Sequence, residues 1–298
     1  MLKRLPVLVG VLALLAPLAA QPPLDPGVVA VYAKIRQEAN DHSQVMRTLH
    51  MLTDVYGPRV TGSPSLKAAG EWAIKQMESW GFSNGHLEPW DFGHPGWVNE
   101  RLSLHIVAPV KDHLEAEVLA WTPGTDGTVT APAWQMMMPE RPTPAELTAF
   151  LDGVKANVKG KIVLVGKHTL VPVNLAPPAK RRPDDQVRAQ YDPNNPNAGQ
   201  FGRGPSTGSG QAAVSPPPMS TNEVNRVVDE FLVANGAKAR VNDAAREHGQ
   251  IIAFNNRTYD VTRAVPTVVM RNEDYGRISR ILADGTPVEL EIAIVNTV

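Results

Sequence analysis

Residues 171–221 are dense in Pro, Gly, Asn and Ser and show almost no apolar periodicity. Such a composition cannot bury enough apolar surface to offset the entropy of ordering it, so it reads as a long loop or a partly disordered insertion. The packed structure must then come from the blocks before and after it. Of the 298 residues, 43% are hydrophobic and 20% charged, enough for about two domains with a sizeable core. There is no cysteine, so disulfides, thiolate zinc sites and thiol nucleophiles are all excluded.

Both blocks carry the punctuation of an α/β chain. Residues 28–50 read as helical, with Val45, Leu49 and Leu52 on one face. Gly57-Pro58 ends that stretch, and either Ser63 or Ser65 can cap the next helix. That helix, over 66–80, carries the apolar stripe Leu66, Ala69, Ala73, Met77 and Trp80, with Gly81 placed to end it. Strands are predicted at 86–92, 102–107, 118–121, 134–138 and 162–165, with a short helix over 144–151. After the insertion come a helix over 223–234 closed by Gly236, and strands at 239–241, 251–254 and 265–270. A helix ending near Leu282 and Gly285 follows, then a strand over 288–295 that alternates Val288, Leu290, Ile292 and Ile294 against Glu289, Glu291 and Ala293.

The N-terminus has a basic pair, Lys3 and Arg4, an apolar run over 5–15, and the small residues Ala16, Ala19 and Ala20. That layout is a secretory signal peptide cleaved near Ala20, and the run is shorter than the ~20 residues that span a bilayer. The expectation is a secreted or periplasmic protein with no membrane span. Formal net charge is -1 and the densest basic run, Lys180-Arg181-Arg182, is followed at once by Asp184 and Asp185, so nucleic acid is not expected as a partner.

Several local motifs lack the context their chemistry needs. Gly204-Pro-Ser206-Thr-Gly208 matches G-x-S-x-G but has no strand before it and no helix after it. Gly202-x-Gly204 is an incomplete phosphate loop. His86-x-Glu88 and His113-x-Glu115 have no cysteine partners and read as surface pairs. Asn256-Arg-Thr258 is a formal glycosylation sequence. Trp72, Trp80, Trp90 and Trp97 read first as core aromatics, and Arg59 beside Gly62 and Ser63 as either a structural turn or a wall of a cleft.

Two stretches carry a family resemblance. Leu52-Thr-Asp-Val-Tyr-Gly-Pro-Arg-Val-Thr-Gly-Ser-Pro64, Trp80-Gly-Phe82, Leu87-Glu-Pro-Trp90 and Gly96-Trp97 resemble the opening of secreted bacterial peptidases of the di-zinc aminopeptidase family. Glutamate carboxypeptidases and the transferrin receptor ectodomain are relatives of that family. Gly160-Lys-Ile-Val-Leu-Val165, Asn235-Gly-Ala-Lys-Ala239 and Val265-Pro-Thr-Val-Val-Met270 resemble a protease-associated domain, which that family inserts into its peptidase domain. The resemblance implies a signal peptide at 1–20, a peptidase-domain segment at 21–115, and a β-rich protease-associated domain at 116–298 interrupted by the 171–221 loop.

The family holds two zinc ions through a His-x-Asp, a bridging Asp, a Glu-Glu pair and further ligands, with a glutamate activating the water. None of the histidines at 42, 50, 86, 94, 105, 113, 168 and 248 is followed two residues later by Asp, and no Glu-Glu pair exists. No catalytic, cofactor-binding or metal residue carries over. The expectation is the N-terminal portion of an exported zinc aminopeptidase acting on peptides, inactive alone, with zinc held only by the full-length protein. The alternative is a non-catalytic protease-associated module that binds peptides or proteins. If the zinc core packs against this chain, the apolar faces of the 66–80 helix and of the first strands should stand exposed here.

Overall fold

The computed structural model describes residues 25–173, 175, 182–192, 194 and 217–298. The expected signal peptide with its cleavage point, and the glycine motifs at 202–208, lie outside the described residues. Residues 1–58 and 59–298 form two separate units. No helix among the described residues is long and apolar enough to cross a membrane.

In the first unit the single helix predicted over 28–50 is broken. Helix α1 (Pro26–Asp41) is capped by Asp25, whose carboxylate accepts from the Gly27 amide at 2.7 Å. It stops at His42, which leaves the helical region at φ −130. Asn40, Asp41 and Ser43 compete for backbone groups and favour ends over interiors. Helix α2 (Val45–His50) then runs into a π-helical turn, Met51–Val55. No residue of α1 is buried.

The second unit opens with helix α3 (Pro64–Ser79). The Ser63 hydroxyl accepts from the Leu66 amide at 3.2 Å, so Ser63 and not Ser65 is the cap, with Pro64 in the first turn where its missing N–H costs nothing. Of the apolar stripe only Ala69 is buried; Leu66, Met77 and Trp80 are 39%, 40% and 51% exposed. Gly62 and Gly96 touch through their backbones, since a Cβ on Gly96 would lie 2.5 Å from the Gly62 carbonyl oxygen. The strand predicted at 86–92 does not form. Pro89 can donate no ladder hydrogen bond. The segment instead lies along α3, with Leu87 over Gly70 and Gly85 under Ile74.

The rest is one eight-stranded mixed sheet with helices on it, an α/β fold as expected. In chain order the elements are β1 (Val98–Ala108), β2 (Asp112–His113), β3 (Ala116–Val118), β4 (Val129–Met136), α4 (Pro144–Val154), β5 (Ile162–Val165), α5 (Asp184–Tyr191), α6 (Thr221–Ala234), β6 (Ala239–Asp243), β7 (Thr267–Met270), α7 (Asn272–Ala283) and β8 (Glu289–Thr297). The strand order is β2-β1-β8-β4-β5-β6-β7-β3. Strands β4 to β7 are parallel neighbours; β8, β1, β2 and β3 pair antiparallel. Pro132 sits where β4 hands over from β8 to β5, the place in a strand where a missing donor does least harm.

The two ends of this order, β2 and β3, are separated in sequence only by Leu114 and Glu115. Two residues reach about 7 Å at most, so the sheet has to curl until its edges meet. Leu114, 1% exposed, fills the join: its amide donates to the Leu104 carbonyl at 3.0 Å, while the Glu115 carbonyl accepts from the Arg271 amide at 2.9 Å.

The curl creates two cores. Inside it Leu104 and Ile106 of β1 meet Leu290, Ile292 and Ile294 of β8, Ile162 and Leu164 of β5, and Tyr275 and Ile278 of α7, so the apolar face of this first strand is covered and not exposed as expected, because β8 and α7 close over it. On the other face Val163 packs with Leu147 and Leu151 of α4 and Val228 and Leu232 of α6. Strand β5 is therefore buried on both faces, which is why it reads as an unbroken apolar run. Each such fully buried side chain contributes roughly 1.5–3 kcal/mol.

Two further expectations need correction. The span 251–254 is not a strand; it makes a single parallel bridge, Ala120 with Asn255, before the Asn256 side chain turns the chain away. The span 171–221 is not loop throughout, for α5 lies inside it. Gln186 to Gln190 are mostly good helix formers, and Asp184 and Asp185 complement the helix dipole at its start.

Candidate binding cleft

The parallel strands dictate where polar groups can gather. On β6, Val241 points into the curl, so its neighbours Arg240 and Asn242 share the opposite face, under α6. An arginine on a buried strand needs partners, and α6 supplies them. Arg240 Nη1 donates to Asp229 Oδ1 at 2.6 Å, Nη2 to Asn225 Oδ1 at 2.6 Å, and Nε to Asn242 Oδ1 at 2.8 Å. The Arg240 and Asp229 side chains are only 6% and 12% exposed. Burial pushes the Asp229 carboxyl up, and Arg240 beside it pulls it back only in part. The pair is thus a device for fixing geometry more than a source of stability.

Above this network opens a cleft of about 470 Å³. Its walls are the first turns of α6, the Arg240 and Asn242 side chains, Leu119, and the loop 254–258. Helix α6 begins with a capping box: the Ser220 hydroxyl accepts from the Glu223 amide, and the Glu223 carboxylate accepts from the Ser220 amide at 2.9 Å. The Ser220 hydroxyl also donates to that carboxylate at 2.7 Å, and this bond first, then the one from the Ser220 amide, hold the Glu223 carboxyl below its ordinary value.

The loop wall is fixed by one side chain. Asn256, 8% exposed, accepts from the Thr258 and Tyr259 amides at 3.1 and 2.8 Å. Its Nδ2 donates to the Asp260 carbonyl at 2.9 Å and to the Trp121 carbonyl. Three residues around it, Trp121, Arg257 and Tyr259, have φ of 56, 64 and 56, a left-handed conformation that costs non-glycine residues free energy. Behind them Trp121, Tyr259, Phe92 and His94 pack ring on ring at 4.6–5.7 Å.

The residues singled out in the sequence fare unevenly. Asn256 is buried with its amide fully engaged, so it presents no glycan acceptor on this fold. Trp97 is core, its indole donating to the Thr122 carbonyl at 3.0 Å, whereas Trp90 is 76% exposed and Trp80 lies on the open face of α3. Trp72 and Arg59 do not line the cleft, and Arg59 is exposed. His86 and Glu88 (3.4 Å) and His113 and Glu115 (3.1 Å) are exposed ion pairs. Among the described residues no three of His, Asp and Glu converge to hold a metal ion, so these residues do not fit a zinc site. The cleft escaped sequence reasoning because Asp229, Arg240 and Asn256 are far apart in the chain. The legible signal was a charge on a strand whose neighbours Ala239 and Val241 are apolar.

No family model and no curated protein matches the sequence. Among solved structures the fold is similar to that of a peptidase M28 precursor from Shewanella amazonensis, with a TM-score of 0.50 and 17% identity over 90% of this chain and 50% of that one. An aminopeptidase from an Aneurinibacillus species (TM-score 0.41, 17% identity, 84% of this chain and 43% of that one) and a zinc aminopeptidase from Bacillus subtilis (0.39, 15%, 84% and 42%) also match. The chain spans about half the length of the Shewanella peptidase. At this identity the likeness concerns the fold.

Proposed function

We propose that this chain is the N-terminal portion of an exported zinc metallopeptidase, an aminopeptidase acting on peptides, in which residues 116–298 form a protease-associated domain. It supplies walls and packing surface, and the zinc ligands come from elsewhere in the full-length protein. The observation that carries this reading is the match of 90% of the chain to half of a peptidase. The open apolar stripe of α3 supports it, since Leu66, Met77 and Trp80 form a face suited to further packing. A second reading, a non-catalytic module that binds peptides or proteins, is favoured by the cleft beside α6.

The test is hydrolysis of aminoacyl p-nitroanilides with added zinc. The chain alone is expected to show no turnover and no stoichiometric zinc. A product of the coding sequence extended past Val298 is expected to show both, with a His-x-Asp and a Glu-Glu in the added part. Turnover by this chain alone overturns the first reading; a stop codon at Val298 favours the second.

A further inference from the structure

The chemistry of the cleft beside α6 specifies a class of ligand. This inference deepens the binding reading and requires neither zinc nor turnover. The carboxylates lining or flanking the cleft are already committed: Asp229 to Arg240, Glu223 to the Ser220 cap, and Glu230 to Arg226 and Arg263. Asn225 and Asn242 each accept one bond from Arg240 through the side-chain oxygen, and each keeps N–H donors to offer. In the first turn of α6 the Glu223 amide is taken by the Ser220 hydroxyl and the Val224 amide by the Ser220 carbonyl, which leaves the Thr221 and Asn222 N–H groups and the positive end of the helix dipole.

Arg257, at the rim, makes no ion pair among the described residues; its guanidinium lies 5.9 Å from the centre of the Phe254 ring. The Asn256 network fixes the backbone on which the exposed Arg257 side chain stands. Donors and one unpaired cation select an anionic acceptor. Leu119 and Phe254 add apolar wall beside them. The volume lies within the roughly 300–1,000 Å³ of small-ligand sites, enough for a few residues of peptide.

We propose that the cleft binds a peptide segment bearing a carboxylate, the carboxylate held between Arg257 and the start of α6 and a neighbouring apolar side chain resting on Phe254 and Leu119. The carboxylate could be a free C-terminus or an acidic side chain, and the experiment separates the two.

Isothermal titration of the whole chain would use three probes: acetyl-Ala-Leu-Ala with a free carboxylate, the same peptide as its amide, and acetyl-Ala-Leu-Asp-Ala-amide. At least one carboxylate probe is expected to bind about tenfold or more tightly than the neutral amide, a difference of ~1.4 kcal/mol. Whichever carboxylate probe wins identifies the source. Arg257→Gln should weaken that probe at least about fivefold at an unchanged melting temperature, and Arg257→Lys should recover most of the loss. If the Gln variant folds poorly, the salt dependence of wild-type binding replaces it, with weaker binding expected as the Debye length shortens to about 3 Å near 1 M. Equal affinity for the neutral amide, no binding of either carboxylate probe, or indifference to both Arg257→Gln and salt overturns the proposal.

Discussion

Asn256→Ala tests whether one side chain holds the loop wall. The asparagine makes four hydrogen bonds at 8% exposure: two accepted from the Thr258 and Tyr259 amides and two donated to the Trp121 and Asp260 carbonyls. A net contribution of about 0.5–1.5 kcal/mol per bond gives ~2–6 kcal/mol. Thr258 and Tyr259 are only half-buried, so water entering the vacated space recovers part of that, and a loss of about 2–4 kcal/mol is expected. With a urea m-value of roughly 3 kcal/mol/M for a unit of this size, the midpoint should fall by about 1 M. Far-ultraviolet circular dichroism would follow the whole fold, and tryptophan fluorescence would follow the Trp121 cluster. Asn256→Asp keeps the two acceptances but aims a carboxylate at two carbonyls, so it should lose at least as much. A midpoint within about 0.2 M of wild type for the alanine variant, or an aspartate variant more stable than the alanine one, would refute the reasoning.

Other perturbations follow from the same geometry. Arg240→Met leaves the Asp229 carboxylate buried and unpaired and should cost about 3–5 kcal/mol at neutral pH. Because burial already raises the Asp229 carboxyl above its ordinary 3.8, the folded state takes up that proton first, so the deficit should shrink as pH falls towards 4; equal deficits in urea melts at both pH values would count against it. The Glu117 carboxyl on β3 is held above its ordinary 4.5 by partial desolvation and then by Glu115, and because the residue is exposed to solvent its ionised form opposes folding only weakly. Glu117→Gln should therefore raise the melting temperature at pH 7 and leave it unchanged at pH 4, and a gain at pH 4 would sink that account. Gly96→Ala places a methyl 2.5 Å from the Gly62 carbonyl oxygen and should cost about 1–3 kcal/mol; an unchanged urea midpoint would mean the Gly62–Gly96 contact is loose.

What the sequence made legible was local. The alternation of β8, a serine cap of α3 at 63 or 65 and the unbroken apolar run of β5 all depend on neighbours within a turn or a strand. The misread spans depend on distant partners. Residues 86–92 look strand-like, yet Gly70 offers Leu87 a better contact on α3. Residues 251–254 are an apolar run that also looks strand-like, but the chain beyond them is turned by an Asn256 side chain that reaches back to Trp121. Within 171–221, α5 was hidden by the average composition around it. The cleft was illegible because Arg240 finds its partners on another element, 11 and 15 positions away, and its loop wall is tied to Trp121, 135 positions from Asn256; periodicity encodes neither.

The place of β8 between β1 and β4 also sets a timetable. Strand β8 is made after the other seven strands of this sheet, and it pairs along nearly the full length of β1, with partners up to 199 positions apart at Val98 and Thr297. Until it is synthesised, β1 and β4 each present an unpaired edge to the solvent, and Ile106 has no Leu290 beside it. Such long-range pairing makes for a high contact order and slow closure. This sheet should therefore resist folding piecemeal as it emerges from a ribosome, and should be most open to chaperones, proteases and self-association in the interval before β8 arrives.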